Sequence, residues 1–263
     1  MNDQEHKLLK LSVSKTKAFI DCAAKYNYSY NLKLPQKTFK FFDFGKCVHQ
    51  ILEHFHLAYI NGSLLPFNIE MNDAYKDAMK DFGDKLSKED KQEIYDIIDQ
   101  YLQKTTKDKQ VISNVIAVEK NFAFPISDRI LLNGMIDKIQ KDNDGYIHVI
   151  DYKTSKSKKY LKNDWLQLLT YALALHTEDP SQTRFRGSYV MLRHNHEFIT
   201  KDFSLDEIAA TKTKYYDYGK KIEEERLFRP NPTPLCNYCS FLEVCQAGKD
   251  FINKDIKIGQ VEW

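Results

Sequence analysis

Over the first third of the chain, apolar residues recur every three or four positions. Ala18, Phe19, Cys22, Ala23, Tyr26 and Tyr30 predict a helix capped by Ser14 and running to about residue 30. Gly45, Val48, Leu52, Phe55 and Tyr59 predict a second helix, from about 44 to 59. Residues 72–105 predict two more amphipathic helices, the later one marked by Ile94, Ile98, Tyr101 and Leu102. The period then changes to two. Val111 to Phe124 is rich in β-branched and aromatic residues and predicts a strand ending at Pro125. The runs 130–140 and 146–154 flank the turn cluster Asp142-Asn143-Asp144-Gly145 and predict a hairpin. Helical spacing returns from Trp165 to His176, followed by strands over 185–193 and 198–203. A last helix begins at the capping box of Ser204 and Glu207 and reaches about Leu227. The order of elements implies one α/β domain: an N-terminal helical region (1–110), a core (111–228) and a Cys-rich tail (229–263).

Composition narrows the class. With 39 Lys+Arg against 37 Asp+Glu, the formal charge of +2 excludes a histone-like polycation, and 42% hydrophobic residues supply a substantial core. No apolar run approaches the ~20 residues of a membrane-spanning helix. The charged stretch Met1 to Lys10 lacks the apolar core of a secretion signal, so a reducing cytoplasm is expected, with the five cysteines as thiols or metal ligands.

The hairpin carries the most informative chemistry. A three-residue loop, Asn143 to Gly145, pairs position 142 with 146 and so places Asp137 opposite Asp151. Two facing carboxylates repel unless a cation bridges them or one is protonated, and a divalent metal satisfies both. Lys153 lies two residues beyond Asp151, on the same side of the strand, where an ammonium can hold a water for attack on phosphorus. An Asp-x-Lys tripeptide alone is equally a surface salt bridge.

Four ordered strings extend this pattern: Gly45-Lys46-Cys47-Val48-His49, Gly134-Met135-Ile136-Asp137, Val149-Ile150-Asp151-Tyr152-Lys153-Thr154 and Gln167-Leu168-Leu169-Thr170-Tyr171-Ala172. Together they resemble the RecB-type branch of the PD-(D/E)XK nuclease superfamily, over about residues 12–248. The resemblance implies a restriction-endonuclease-like core, a central mixed sheet flanked by helices, with an N-terminal helical layer. It implies His49, Asp137, Asp151 and the Tyr152 carbonyl as ligands of Mg2+ or Mn2+, with Lys153 as the catalytic lysine. Glu119 corresponds to a glutamate that relatives often carry near the site. Gln167 and Tyr171 would position DNA or the active-site strand. Glu53, one turn after His49, can orient its ring.

Cys236, Cys239 and Cys245 form C-x2-C-x5-C in a Pro-bounded segment, and three thiolates so close need a fourth ligand. The last His is His196, which leaves Cys22 and Cys47 as the available thiols. The resemblance selects Cys22: iron-sulfur members of the RecB-like group, including AddB-type and CRISPR-associated exonucleases, hold a 4Fe-4S cluster with one N-terminal cysteine and a C-terminal triplet. Cys47 then reads as a small buried hydrophobe.

Lys153, Lys156, Lys158, Lys159 and Lys162 precede the next acidic residue, Asp164, and can neutralise phosphates, with Tyr160 and Trp165 available to stack on bases. The Gly-Lys pairs at 45, 219 and 248 all lack a following Ser or Thr, so no phosphate-binding loop and no ATP-driven translocation are expected. The expectation is a metal-dependent exonuclease threading single-stranded DNA in repair or recombination, with a helicase or recombination partner to open duplexes. The alternatives are a structure-selective endonuclease, a non-catalytic iron-sulfur DNA-binding protein, and a zinc adaptor.

Overall fold

A computed structural model describes residues 8–37, 39–107, 114–157 and 164–259. The chain packs as two units. One draws on Met1–Thr38, Ile126–Leu132 and Lys214–Trp263, the other on Phe39–Pro125 and Asn133–Thr213.

The second unit is built on the predicted hairpin. Strands β2 (Val115–Ser127), β3 (Ile130–Lys141), β4 (Ile147–Lys153), β5 (Phe185–Met191) and β6 (Glu197–Phe203) follow one another in sequence. β2 pairs with β3, β3 with β4 antiparallel, β4 with β5 parallel and β5 with β6 antiparallel. The Asp142 amide bonds the Tyr146 carbonyl at 2.9 Å, closing the three-residue loop as expected. The ladder runs Lys141↔Ile147 to Lys138↔Ile150, and one more step in that register places Asp137 opposite Asp151. β4 is buried along nearly its whole length, as befits a central strand with a parallel neighbour. That parallel step needs a crossover, supplied by the helix Leu166–Glu178.

Three helices cover one sheet face: α3 (Lys40–Ile60), α4 (Phe67–Phe82) and α5 (Lys88–Lys107). Val48, Ile51, Leu52 and Phe55 of α3 pack with Ile94, Ile98 and Tyr101 of α5 against Ile150, Tyr152 and Val190 of the sheet and Leu192 just beyond β5. The crossover helix, here α6, lies where Leu168 meets Gly187 of β5. The strand predicted to stop at Pro125 continues to Ser127; a strand with only β3 as its described partner tolerates a residue without an N–H.

The first unit contains β1 (Leu9–Leu11), which pairs parallel with Ile130–Leu132, the opening residues of β3. Here the helix predicted over 14–30 is corrected. Ser12, not Ser14, caps α1 (Val13–Asp21), accepting from the Lys15 amide at 3.2 Å. The helix then breaks at Cys22, whose backbone is extended (φ −163°, ψ 107°), before α2 (Ala23–Tyr26) and a π turn over Asn27–Asn31. Apolar spacing continues through the break, so periodicity does not register it. Helix α7 (Leu205–Glu224) starts at the capping box, with the Ser204 amide on Glu207 Oε2 at 3.0 Å and the Glu207 amide on Ser204 Oγ at 3.2 Å. It ends three residues before the predicted Leu227. The Cys-rich tail forms two short 3-10 turns and then α8 (Gln246–Gly259), a helix not anticipated from sequence. Among the described residues, no helix is long and apolar enough to cross a membrane.

Candidate active site

The site is assembled where α3 meets the end of β4. Gly45 permits the approach: a Cβ there would stand 3.2 Å from Thr154 Oγ1. One turn further along α3, His49 Nε2 lies 3.0 Å from the Tyr152 carbonyl oxygen, and its Nδ1 lies 3.4 Å from Asp137 Oδ2. The same Asp137 oxygen accepts from the Tyr152 amide at 2.9 Å. Tyr152 thus contributes both its main-chain polar groups to the site while its ring points into the core. There its hydroxyl lies 3.0 Å from Tyr101, which is 2.6 Å from His56 Nε2. His56 and Tyr101 carry no motif signal; the only sequence clue is that His56 falls two helical turns after His49.

Glu119 completes an acidic corner. It adopts φ +44° within β2, a left-handed conformation uncommon for a residue with a side chain. Ligand atoms of His49, Glu119 and Asp137 lie within 4.8 Å of one another, the one such trio found among the described residues. Burial pushes the Glu119 carboxyl up to about 8, helped by Asp137, Glu53 and Asp151. Asp137 is raised for the same reason, burial first and then the Asp151 charge, against the opposing pull of His49 and the Tyr152 amide. A divalent ion fits the donors present. The carboxylates of Glu119 and Asp137 and the Tyr152 carbonyl are oxygen donors that would suit Mg2+ or Mn2+, and the His49 imidazole makes the set less purely hard.

Asp151 is buried, 1% exposed. Its Oδ2 pairs with Lys153 Nζ at 2.6 Å, and its Oδ1 accepts from Gln167 Nε2 at 2.5 Å and from the Tyr171 hydroxyl at 3.2 Å. Gln167 Oε1 in turn accepts from Lys153 Nζ at 2.9 Å. Gln167 and Tyr171, one turn apart on α6, therefore hold the carboxylate and the lysine of the β4 strand.

Residues 10–246 match the PD-(D/E)XK nuclease superfamily. The chain belongs to that superfamily. Among curated proteins, it is 27% identical over 241 residues to the B subunit of the ATP-dependent helicase/deoxyribonuclease of Streptococcus agalactiae, covering 85% of this chain and 22% of that protein. The corresponding protein of Clostridium perfringens is 27% identical over 213 residues, covering 66% of this chain and 18% of its own length. The chain thus spans about a fifth of the length of these relatives. A crystal structure of a candidate exonuclease from Eubacterium rectale superposes with a TM-score of 0.53 at 11% identity, over 94% of this chain and 90% of that one, which supports the fold.

Other expected positions of this PD-(D/E)XK domain fall as follows. Lys156 is exposed beyond the end of β4, while Lys158, Lys159, Tyr160 and Lys162 lie outside the described residues. Trp165 is half-buried: it stacks on Tyr189 with centroids 5.9 Å apart and meets Phe203 edge-on. Cys47 is fully buried, and burial pushes its thiol up to about 12. In the first unit, Cys22, Cys236, Cys239 and Cys245 line one cavity of about 260 Å³. The Asn231 amide donates to Cys22 Sγ and the Thr233 amide to Cys236 Sγ, each at 3.4 Å.

Proposed function

We propose that this chain is a divalent-metal-dependent deoxyribonuclease that removes nucleotides from an end of single-stranded DNA. The observation that carries the proposal is the convergence of His49, Glu119, Asp137 and the Tyr152 carbonyl beside a lysine fixed by Asp151 and Gln167. A divalent ion held by these donors would polarise a phosphoryl oxygen and acidify its water. The chain's own part is positional. Asp151 and Gln167 restrain the Lys153 ammonium so that it can orient the attacking water and offset charge developing on phosphorus. The carboxylates, once deprotonated, exclude a second anion from the corner and direct the phosphate toward the cation.

The curated relatives are named for a helicase/deoxyribonuclease, and the strings Gly-Lys-Cys, Gly-Lys-Lys and Gly-Lys-Asp here are not phosphate-binding loops. ATP hydrolysis and strand opening are therefore assigned to a helicase partner or another segment, in a repair or recombination role. The test is digestion of end-labelled single and double strands with Mg2+, Mn2+ or chelator. Mononucleotide release from single strands with either metal, indifferent to ATP, is expected. Cleavage that persists in chelator, or internal nicking of duplex without end dependence, rejects the proposal.

For the cysteine-lined cavity we propose a 4Fe-4S cluster on Cys22, Cys236, Cys239 and Cys245. The two amide-to-sulfur bonds, and Gly248, where a Cβ would lie 3.6 and 3.7 Å from two of the sulfurs, suit a group whose ligand sulfurs accept hydrogen bonds. Iron and acid-labile sulfide in anaerobically purified protein, lost in Cys236→Ser and kept in Cys47→Ser, are expected. Zinc without iron in such protein rejects the cluster.

A further inference from the structure

The first turns of α3 bear an aromatic group for which the core has no use. Phe41 and Phe42 are 51% and 49% exposed, and their ring centroids are 4.5 Å apart. Phe39 stacks on Phe41 at 5.3 Å and meets Phe42 at 6.1 Å. Leaving such rings half in water forgoes about 1 kcal/mol or more of burial apiece, so the patch marks a contact.

Its place on the helix indicates what it contacts. Phe42, Lys46 and His49 follow one another at steps of four and three, which puts them on a single stripe of α3. Lys46 is exposed, and His49 is the imidazole of the metal corner. Seven residues at 1.5 Å each carry the stripe about 10 Å from the ring to the imidazole. The turn between is firmly held. Phe44 is buried with the Arg193 guanidinium 3.9 Å above its ring, and Arg193 donates to the Thr154 carbonyl at 2.8 Å and to Glu93 at 2.9 Å. The aromatic face, the cation and the metal ligand therefore form one rigid track.

Resting on the nuclease reading above, we infer that this stripe is a strand-guiding subsite: Phe42, backed by Phe41, stacks a base of a single-stranded nucleic acid, and Lys46 meets the phosphate between that base and the scissile bond. Aromatic faces take any base, and the alternation of ring and cation repeats the alternation of base and phosphate. A duplex keeps its bases paired and cannot use the ring, so the subsite favours single strands.

Binding of a labelled single strand is measured in EDTA, where hydrolysis is off, and single-turnover cleavage is measured in Mn2+. Phe42→Ala is expected to weaken binding roughly 5- to 150-fold, Phe42→Trp to restore it, and neither to change Mn2+ affinity. Lys46→Ala lowers the salt dependence of binding by about 0.7 of a counterion. A strand whose abasic residue lies one nucleotide further on, beyond the phosphate that Lys46 meets, binds wild type as weakly as intact strand binds Phe42→Ala, with no further loss when the two are combined. The inference is overturned if wild type cleaves but the Phe42→Ala and abasic changes are without effect or simply additive. It is equally overturned if Phe42→Ala leaves strand binding intact and instead dissociates a dimer in sedimentation. Absence of cleavage by wild type itself, under every metal tried, rejects the nuclease reading and is read separately from the EDTA binding.

Discussion

Tyr152 donates its backbone amide to Asp137 Oδ2 at 2.9 Å. Its carbonyl faces His49 at 3.0 Å, so one residue of β4 ties the carboxylate of the neighbouring strand and the imidazole of α3 to the same peptide pair. Because the Tyr152 ring is held beneath the site by Tyr101 and His56, that peptide has little freedom to rotate. On the function proposed above, His49, Glu119 and Asp137 would hold the metal, while Asp151 and Gln167 of α6 hold the lysine.

Lys153→Ala should reduce single-turnover cleavage by ~10²-fold or more while leaving Mn2+ affinity largely intact, since it removes an oriented contact and no ligand. Asp137→Ala should lose metal affinity and turnover together. Titration calorimetry with Mn2+ beside quench-flow cleavage separates the two; a Lys153→Ala protein keeping more than roughly a tenth of wild-type rate reduces the lysine to a salt bridge.

Glu119 sets a pH dependence with opposite signs for the two forms. Its folded carboxyl titrates near 8, well above the 4.5 of an exposed glutamate, so the proton is bound more tightly when folded. That contribution to stability is present below about pH 4.5 and is lost as pH rises through about 8. Metal binding needs the proton gone and strengthens over the same range. Thermal shifts on adding Mn2+ should therefore widen from pH 6 to pH 8, and Glu119→Gln should lessen the trend, leaving the part that Asp137, also raised, supplies. A shift constant with pH in wild type contradicts the assignment.

Gln167→Leu should slow cleavage about 10- to 100-fold with little change in metal affinity, because it frees Lys153 and strips one donor from Asp151. Tyr171→Phe removes only the 3.2 Å bond and should cost less. Equal effects of the two changes on rate would show that the glutamine does not hold the lysine.

Gly187→Ala should lower stability by ~1–3 kcal/mol. A Cβ there would come within 2.5 Å of the Phe203 ring and 3.0 Å of Leu168 Cβ, so β5 or α6 must shift. Urea melts of the purified variant, with an unchanged slope and a lower midpoint, are expected.

What can be read from sequence follows from how local its cause is. The hairpin register is legible because the turn residues Asp142 to Gly145 and the alternation on both legs are adjacent in the chain, and they place Asp137 opposite Asp151 without tertiary information. The capping box at Ser204 is legible on the same grounds. The break at Cys22 is not, because the apolar spacing runs on through it and its partner comes from the far end of the chain: the Asn231 amide donates to Cys22 Sγ and the Asn231 side chain to the Asp21 carbonyl. Nor is the left-handed backbone of Glu119 within β2, or the packing of Trp165 on Tyr189 and Phe203, where segments distant in the chain meet. Gln167 shows a middle case: its helix is evident, while its grip on both Asp151 and Lys153 needs the crossover to be folded.

The tip and the legs of the β3–β4 hairpin differ in what they can absorb over evolutionary time. Asp137 and Asp151 sit equally far from the three-residue loop, so residues added between Asn143 and Gly145 lengthen the tip and leave the two carboxylates facing each other. A single residue inserted between Lys138 and Lys141 instead turns Asp137 to the opposite sheet face and carries it away from the Tyr152 amide. Length variation in descendants of this gene should accordingly gather at the loop, with the five-residue span from Asp137 to Lys141, the last paired residue of β3, held constant.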